Sequence, residues 1–327
     1  MRHGTTCARY GAGSADDNSR VIAVDLGGTK CHGALADLDG HIVAQDLRAT
    51  HEGGGPSAAL LGCITQLQAT AAADSAPVRA VAVGVPALID PRTGLASAGP
   101  NVDWDGFDVI SLLAEHLAVP FEVENDVNLA AIGQAWRGEG AGVSSFVTLS
   151  IGTGIGGAVM VDGKLVRGHY NASGEIGYLE LPTDLSPTGA ARFEDLASGK
   201  AIEARVRALA GMSVGTSGAE PDVAGVFVAA GTGDELAHSV VTDVTRHVAR
   251  AVASVVALLD PHLVILDGSI GRSLAPYLSQ IRELAEPHVF GYPDVVCCTL
   301  DPNATIIGAI AQALRLARET PSEVGIL

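Results

Sequence analysis

The chain has 327 residues and a formal net charge of −17, because 37 acidic side chains outnumber 20 basic ones. Hydrophobic residues make up 47% of it, so a sizeable core can be buried and global disorder is excluded. An acidic surface repels nucleic-acid phosphates and anionic lipids, which argues against nucleic-acid and membrane partners. A local pocket of backbone amides can still bind an anion, so nucleotide substrates stay open.

The five cysteines are scattered, odd in number and without a C-x-x-C pair, which argues against a disulfide framework and a structural zinc. No apolar segment reaches the ~20 residues of a membrane span. Residues 1–20 lack the apolar stretch of a secretory signal and are rich in Gly, Ser and Asp, which predicts a disordered leader. We therefore expect a soluble, cytoplasmic protein.

Order is predicted to begin at Val21, with three strands followed by alternating helices and strands. The predicted strands of this first half are 21–25, 31–36, 41–45, 79–86 and 120–124, and the predicted helices are 56–73 and 108–117. This order of elements is typical of an α/β fold with a mixed sheet.

The pattern then recurs. Residues 146–166 repeat the strand, Gly-rich turn and strand of residues 21–43, and a shift of 125 positions places Ser150 on Asp25 and Gly152 on Gly27. The later predicted elements are a helix at 235–259, a strand at 262–266, a helix at 272–285, a strand at 294–299 and a helix at 303–318. The chain is therefore predicted to hold two copies of one unit, an arrangement that suits a ligand between domains.

The first Gly-rich turn is Asp25-Leu26-Gly27-Gly28-Thr29-Lys30. Gly27 and Gly28 allow close approach of a phosphate, Thr29 adds a hydroxyl and Lys30 a positive charge. Asp25, at the end of a strand, is a candidate Mg²⁺ ligand. A tight β-turn with a solvated lysine explains the same residues.

Two further turns are candidates for the nucleotide. Gly152, Thr153 and Gly154 begin a G-x-G-x-x-G string, but a strand rather than a helix follows it, so the Rossmann interpretation fails and a phosphate-binding hairpin fits better. Gly268 and Ser269 lie between a strand and a helix, where they either accept an adenosine or form a simple loop.

Polar residues after other strands are candidates for acid–base chemistry and sugar binding. Asp126 either acts as a base at a strand end or, like Asn125, caps the following helix. Glu175, flanked by glycines, either accepts hydrogen bonds from a polyol or lies in an exposed turn. Tyr178 is typical of core packing with its hydroxyl in water.

Six strings together resemble the ROK family of sugar kinases and sugar-responsive repressors. They occur in the family's order and are DLGGTK (25–30), GVPALID (84–90), PNVDW (100–104), ENDVNLAA (124–131), GTGIGG (152–157) and GEIG (174–177). The resemblance implies an actin-like (ribonuclease H-like) ATPase fold with two similar domains that close on a sugar and ATP. The smaller domain would comprise 21–123 with the helix 303–318, and the larger domain 124–302.

The resemblance also implies roles for single residues. Asp126 matches the family's general base, and Asn125, Glu175, Glu194 and Asn101 match sugar-binding positions. The two Gly-rich hairpins match the phosphate loops, and 267–271 matches the adenosine loop. With Mg²⁺, the implied reaction is transfer of a phosphoryl group from ATP to a hexose, with glucose the first choice and a homodimer or homotetramer the expected assembly.

Three departures from the family pattern are visible. Tyr178 replaces the usual His that contacts the sugar, and Asp267 replaces the usual Gly of the adenosine loop. No Cys lies between 64 and 296, so the family's zinc site cannot form. A sugar sensor without catalysis therefore stays open, although only about 20 residues precede Val21, too few for the repressors' DNA-binding domain. An ATPase or acetate-kinase-like enzyme is a third alternative, against which the sugar-site residues argue.

Overall fold

The computed structural model describes residues 18–51, 53–90, 93, 95–97, 107–184, 186, 188–209, 223–300 and 303–319. Most of the predicted leader and the predicted sugar ligand Asn101 lie outside these residues. The chain divides into two compact units. Unit 1 comprises Met1–Gly142, Gly168–Ala172 and Leu300–Leu327, and unit 2 comprises Val143–Arg167 and Ser173–Thr299.

The elements follow in chain order. The strands are β1 (Arg20–Leu26), β2 (Lys30–Asp37), β3 (Ile42–Ala49), β4 (Val78–Val85), β5 (Leu88–Ile89), β6 (Ala96–Ser97), β7 (Phe121–Asn125), β8 (Phe146–Ile151), β9 (Ile155–Val161), β10 (Lys164–Val166), β11 (Glu180–Pro182), β12 (Ala190–Arg192), β13 (Leu263–Asp267) and β14 (Asp294–Cys297). The helices are α1 (Gly55–Ala73), α2 (Val109–His116), α3 (Asp126–Arg137), α4 (Phe193–Ala197), α5 (Gly199–Leu209), α6 (Val223–Gly231), α7 (Glu235–Leu259), α8 (Gly268–Ser273), α9 (Leu278–Ala285) and α10 (Ala304–Arg318). Short 3-10 turns occur at Ile176–Tyr178, Ala275–Tyr277 and Glu286–His288.

Unit 1 is built on a mixed sheet in the order β3-β2-β1-β4-β7. The first three strands of the chain are antiparallel neighbours, whereas β1, β4 and β7 run parallel. Along β1, Ile22 and Val24 pack with α1 and α2, and Val21 and Ala23 pack with α3 and α10. Helices cover both faces of the sheet, which explains why the residues of β1 form a continuous apolar run from Val21 to Val24.

Helices α3 and α10 cross with their backbones in close contact. A Cβ atom on Gly133 would overlap the carbonyl oxygen of Ala304, and one on Gly308 would overlap that of Leu129. This packing places β7 and α3 in unit 1, so the sequence-based boundary between 123 and 124 differs from the observed division at 142 and 143.

Unit 2 repeats the connectivity of unit 1. Its sheet has the order β10-β9-β8-β13-β14, again with three antiparallel neighbours and with β8, β13 and β14 parallel. The register pairs Ser150 of β8 with Asp267 of β13, as it pairs Asp25 of β1 with Gly84 of β4. The predicted α/β class and the predicted repeat are therefore confirmed.

Several predicted elements differ from the structure in their bounds, among them the strand predicted at 41–45, which extends to Ala49 as β3. Strand β1 begins at Arg20, inside the predicted leader, where the Arg20 amide donates a hydrogen bond to the Pro77 oxygen. The predicted helix at 272–285 is divided into α8 and α9 by a 3-10 turn that contains Pro276, because proline has no amide hydrogen to continue a helix. Strand β14 ends at Cys297 rather than at residue 299. Within the described residues, no helix combines the length and apolarity that a membrane span requires.

The crossing of α3 and α10 predicts a steep cost for a single methyl group. Gly308→Ala should lower the free energy of unfolding by about 1–3 kcal/mol, because the methyl fits only if the two helices move apart. The urea midpoint measures this. The control is Gly231→Ala at the end of α6, where an added Cβ meets nothing within 4 Å and should leave the midpoint unchanged or slightly raised. An unchanged midpoint in the Gly308 variant would contradict the close crossing.

Candidate functional site

Two acidic residues reach the same edge of the unit 1 sheet. Asp25 lies near the end of β1, and Asp126 is the first residue of α3, directly after β7. Because β1, β4 and β7 are parallel, their carboxyl ends lie at one edge, where the register pairs Asp25 with Gly84 and Gly84 with Glu124. The fold thus brings the predicted metal ligand and the predicted general base together.

The two carboxyl groups influence each other. Burial, and to a lesser extent the charge of Asp126, raise the pKa of Asp25 to about 7. The ionised form of Asp25 is therefore disfavoured unless a positive charge lies close to it. A divalent cation would supply that charge, and carboxylate oxygen is the donor that Mg²⁺ prefers. The residues at this edge therefore fit the predicted Mg²⁺.

Asn125 has the capping role that its position predicts. Its Oδ1 accepts hydrogen bonds from the amides of Val127 and Asn128, 3.0 and 3.1 Å away. Its Nδ2 donates to the oxygen of Ala87 over 3.5 Å. An Asn125 side chain held in this way presents a fixed amide group at the edge where Asp126 lies.

The Asp126 carboxylate is oriented by the helix that it begins. Its Oδ1 accepts the amide of Val127 at 2.8 Å, and the side chain is partly exposed. The positive end of the α3 backbone dipole stabilises negative charge at this position. Asp126 is therefore held as an oriented carboxylate with access to solvent.

Glu124 belongs to the acid–base candidate string Glu124-Asn125-Asp126 in the sequence, which did not predict its role as a buried residue directly before Asn125 and Asp126. Its Oε1 accepts the amide of Asn125 and the Nδ2 of Asn128, both at 2.9 Å. These bonds tie the end of β7 to the first turn of α3. The spacing of Glu124 and Asn128, four residues apart across a strand-to-helix junction, is the signal that could have revealed the pair.

In both Gly-rich hairpins, the amide of the first glycine closes the turn. Gly27 donates to the oxygen of Lys30, and Gly152 donates to that of Gly154, each at 2.9 Å. These two amides are therefore engaged within their turns, unlike the expectation that they hold phosphate. Thr29 and Lys30 are exposed at the tip of the first turn.

The second hairpin lies against the predicted adenosine loop in unit 2. Gly268 has a φ of +76°, and a Cβ atom there would overlap the Ile151 oxygen, so only glycine allows this approach. A Cβ atom on Gly152 would lie 4.0 Å from Ser269 Oγ. The structure therefore brings Gly152, Gly268 and Ser269 together at the carboxyl edge of β8 and β13.

The charge of Asp267 is compensated inside unit 2. Its Oδ1 accepts the amide of Gly268 at 2.7 Å and pairs with Arg272 Nε at 3.1 Å. The carboxylate thus caps α8 and faces a guanidinium. Asp267, which replaces the family's glycine, therefore adds less net negative charge to this loop than its sequence position alone indicates.

A second acidic pair lies in unit 2. Glu175 directly precedes the turn Ile176–Tyr178, and Glu194 lies in α4, where its Oε2 accepts the amide of Ile155 at 2.9 Å. Burial, and then the charge of Glu194, raise the pKa of Glu175. Two partly buried carboxyl groups side by side can accept hydrogen bonds from neighbouring hydroxyls of a polyol.

The model of the family described as "ROK family" matches residues 21–315. The chain belongs to the ROK family.

Its ROK relatives include both enzymes and regulators. The chain is 29% identical to a glucokinase of Thermotoga maritima over 310 residues, 89% of this chain and 96% of that protein. It is 24% identical to a xylose repressor of Caldicellulosiruptor bescii, over 91% of this chain and 79% of the repressor. The structure of a ROK family glucokinase from Streptomyces griseus in complex with glucose and AMPPNP is 25% identical, with a TM-score of 0.71 over 90% of this chain and 99% of that one. The actin-like α/β fold is therefore confirmed.

A short hairpin follows Tyr178 in this ROK protein. Strands β11 and β12 pair, and the amide of Phe193 donates to the oxygen of Leu179 at 2.8 Å. The hairpin thus joins the segment after Glu175 to the helix that carries Glu194. The Tyr178 ring is 55% exposed, with the Arg192 guanidinium 5.5 Å from its centroid. Tyr178 is therefore a surface residue beside the acidic pair, not a core residue.

The raised pKa of Asp25 predicts how stability changes with pH in the absence of Mg²⁺. A carboxyl group whose pKa is about 7 when folded and 3.8 when unfolded binds more protons in the folded state, so stability falls as pH rises from about 4 to about 7. Asp25→Asn should remove this loss, so its stability relative to the wild type should be higher at pH 8 than at pH 4, by up to about 4 kcal/mol.

The matched control is Asp37→Asn, which should show the opposite sign. Burial raises the pKa of Asp37, but hydrogen bonds from His41 and Asp39 outweigh it and leave the pKa lowered. Its stabilising contribution is present above the unfolded pKa and is lost as pH falls. Thermal unfolding from pH 2 to pH 8 measures both variants, since the contribution of Asp37 is lost below about pH 4 and that of Asp25 changes between about pH 4 and 7. A parallel pH dependence in Asp25→Asn and wild type would contradict the assignment.

Proposed function

We propose that this ROK chain is an ATP-dependent sugar kinase that transfers the γ-phosphoryl group of ATP to a hexose hydroxyl, glucose being the first substrate to test. The observation that carries the proposal is the acidic pair Asp25 and Asp126 at one edge of the unit 1 sheet. Phosphoryl transfer requires positioning and charge compensation more than covalent chemistry by the protein, and two carboxylates in different environments suit those two tasks. The similarity to glucokinases over most of the chain supports the same reaction.

Asp126 is the proposed general base. Its carboxylate, oriented by the amide of Val127, would accept the proton of the attacking hydroxyl as the new bond from that oxygen to the γ-phosphorus forms and the bond to ADP breaks. The partial exposure of Asp126 leaves its carboxylate accessible to a substrate hydroxyl.

Asp25 is the proposed holder of Mg²⁺, directly or through water. When bound there, the ion supplies positive charge that offsets the charge of the phosphates and of Asp25 itself. Because the amides of Gly27 and Gly152 close their turns, phosphate binding falls to the neighbouring residues Gly28, Thr29, Lys30, Thr153 and Gly154. Ser269 and Gly268 are the proposed adenosine contacts.

Glu175 and Glu194 are the proposed acceptors for sugar hydroxyl groups, with the fixed amide of Asn125 as a further contact. Tyr178 is the proposed replacement for the family's histidine, since a phenol can donate or accept one hydrogen bond. Asn101 keeps its predicted role as a sugar ligand, although it lies outside the described residues.

The general-base role predicts a large kinetic effect from a small change. Asp126→Asn keeps an oxygen that can accept the Val127 amide but cannot take a proton, so kcat should fall by roughly 10²–10⁴-fold with little change in KM. Release of ADP with Mg²⁺, ATP and a panel of hexoses and amino sugars measures this. Asp108→Asn, at the exposed cap of α2, is the control and should keep wild-type turnover. Full turnover in Asp126→Asn would rule out the base.

The sugar-binding role of the unit 2 pair predicts a selective loss of sugar affinity. Glu175→Gln should raise KM for the sugar by about 10-fold or more, because a charged hydrogen bond to a hydroxyl becomes neutral, and should leave KM for ATP unchanged. The neighbouring exposed Glu180 provides the control as Glu180→Gln. Equal changes for both substrates would argue that Glu175 is only structural.

The similarity to a xylose repressor over 91% of the chain supports one alternative, a sugar sensor without catalysis. Calorimetry separates the two functions, since a sensor binds sugar but releases no ADP with any of the hexoses and amino sugars. The expectations of a cytoplasmic protein, of a homodimer or homotetramer and of no nucleic-acid partner stay predictions.

A further inference from the structure

The first turn of α10 contacts both acidic residues of unit 1. Asn303 caps the helix, with its Oδ1 accepting the amide of Ile306 at 2.6 Å. The Nδ2 of the same side chain donates to Asp25 Oδ2 over 3.5 Å. Because the cap fixes one end of the planar amide, the direction of its nitrogen is fixed as well.

Two residues further on, Thr305 contacts the element that carries the other carboxylate. Its Oγ1 donates to the backbone oxygen of Asp126 at 3.2 Å. On the strand between them, a Cβ atom on Gly84 would lie 3.1 Å from Thr305 Cγ2, so this side chain also packs over β4. A single helical turn thus spans the ends of β1, β4 and β7.

The position of this turn is rigidly determined. The close crossing at Gly133 and Gly308 holds α10 on α3, and the Ala304 oxygen lies only 2.2 Å from where a Cβ on Gly133 would be. The apolar face of α10, which includes Ile306, Ile310 and Leu314, is buried on the sheet. The turn therefore acts as a fixed spacer between the two carboxylates rather than as a mobile terminus.

We propose that Asn303 is a positioning residue for phosphoryl transfer, which orients the Asp25 carboxylate toward Mg²⁺ while Thr305 fixes the backbone at Asp126. An amide suits this place because it donates a hydrogen bond without adding a charge to the acidic pair. A hydrogen bond at Oδ2 sets the rotation of the carboxylate and hence the direction of Oδ1. This inference rests on the proposed kinase function.

The test separates the cap of Asn303 from its bond to Asp25. Serine is as good an N-cap as asparagine but too short to reach Asp25, so Asn303→Ser should keep the melting temperature of the wild type. Its Mg²⁺ concentration for half-maximal activity should rise about threefold to tenfold, the effect of one lost hydrogen bond, with KM for the sugar unchanged. The control is Asp234→Ser, which changes the cap of α7 and should change neither quantity.

A second readout does not depend on turnover. Calorimetry of AMPPNP with and without Mg²⁺ should show that Mg²⁺ tightens nucleotide binding less in Asn303→Ser than in the wild type, again by about threefold to tenfold. An identical Mg²⁺ effect in both proteins overturns the inference. A lower melting temperature with equal losses of sugar and nucleotide affinity also overturns it, because Asn303 would then be only structural. If the wild type phosphorylates no sugar, the proposed function fails while this binding comparison still decides the role of Asn303.

The partner residue gives an independent check on the same turn. Thr305→Val keeps the shape and removes the donor to the Asp126 oxygen, so kcat should fall about threefold to tenfold while the Mg²⁺ dependence stays at the wild-type value. Thr305→Ser restores the hydroxyl and should restore kcat. A Thr305→Ser variant as slow as Thr305→Val would overturn the role assigned to the hydroxyl.

Discussion

The burial of Asp25 beside the negative charge of Asp126 is the constraint on which the site in unit 1 depends. Parallel strands bring both carboxyl groups to one sheet edge, and burial makes a second negative charge there unfavourable, so the pKa of Asp25 rises to about 7. A protein gains nothing in stability from such a pair. The proposed Mg²⁺ would offset this repulsion, and the neutral Asn303 donor and the close crossing of α3 and α10 hold the pair in place.

The second unit has the same strand order with different chemistry at the corresponding edge. Ser150 occupies the place that Asp25 has in the first copy, and it pairs with Asp267, whose charge is compensated by Arg272 and by the first amide of α8. The edge of unit 2 is thus a small-residue surface in which Gly268 packs directly on the end of β8. The edge of the unit 1 sheet thus carries two neighbouring carboxyl groups, whereas the edge of the unit 2 sheet has closely packed backbone segments.

The acidic pair of unit 2 is held by local structure rather than by the sheet alone. Glu194 is fixed by the amide of Ile155, and the hairpin of β11 and β12 connects its helix to the segment after Glu175. The chain has no cysteine between 64 and 296, so no metal-binding cysteine can hold this segment in place. Backbone hydrogen bonds hold Glu175 and Glu194 near each other instead. Tyr178 precedes that hairpin and is exposed beside Arg192.

The sequence by itself determined the α/β class, the repeat, the Gly-rich turns and the membership of the family. These are local or periodic features: an apolar run covered on both faces, two glycines at a strand end, and an Asn-Asp pair before a helix each have a signature within a few residues. It also predicted the cap formed by Asn125, since the cap joins residues that are neighbours in the chain.

Only the tertiary structure decided which of these residues meet. The bond from Asn303 to Asp25 joins residues 278 positions apart, and the bond from Thr305 to the Asp126 oxygen joins residues 179 positions apart. The raised pKa of Asp25 also has a tertiary cause, since it arises from burial and from the Asp126 carboxylate at the start of α3. Contacts of this kind depend on packing between segments that are distant in the chain. A pattern of neighbouring residues therefore does not predict them.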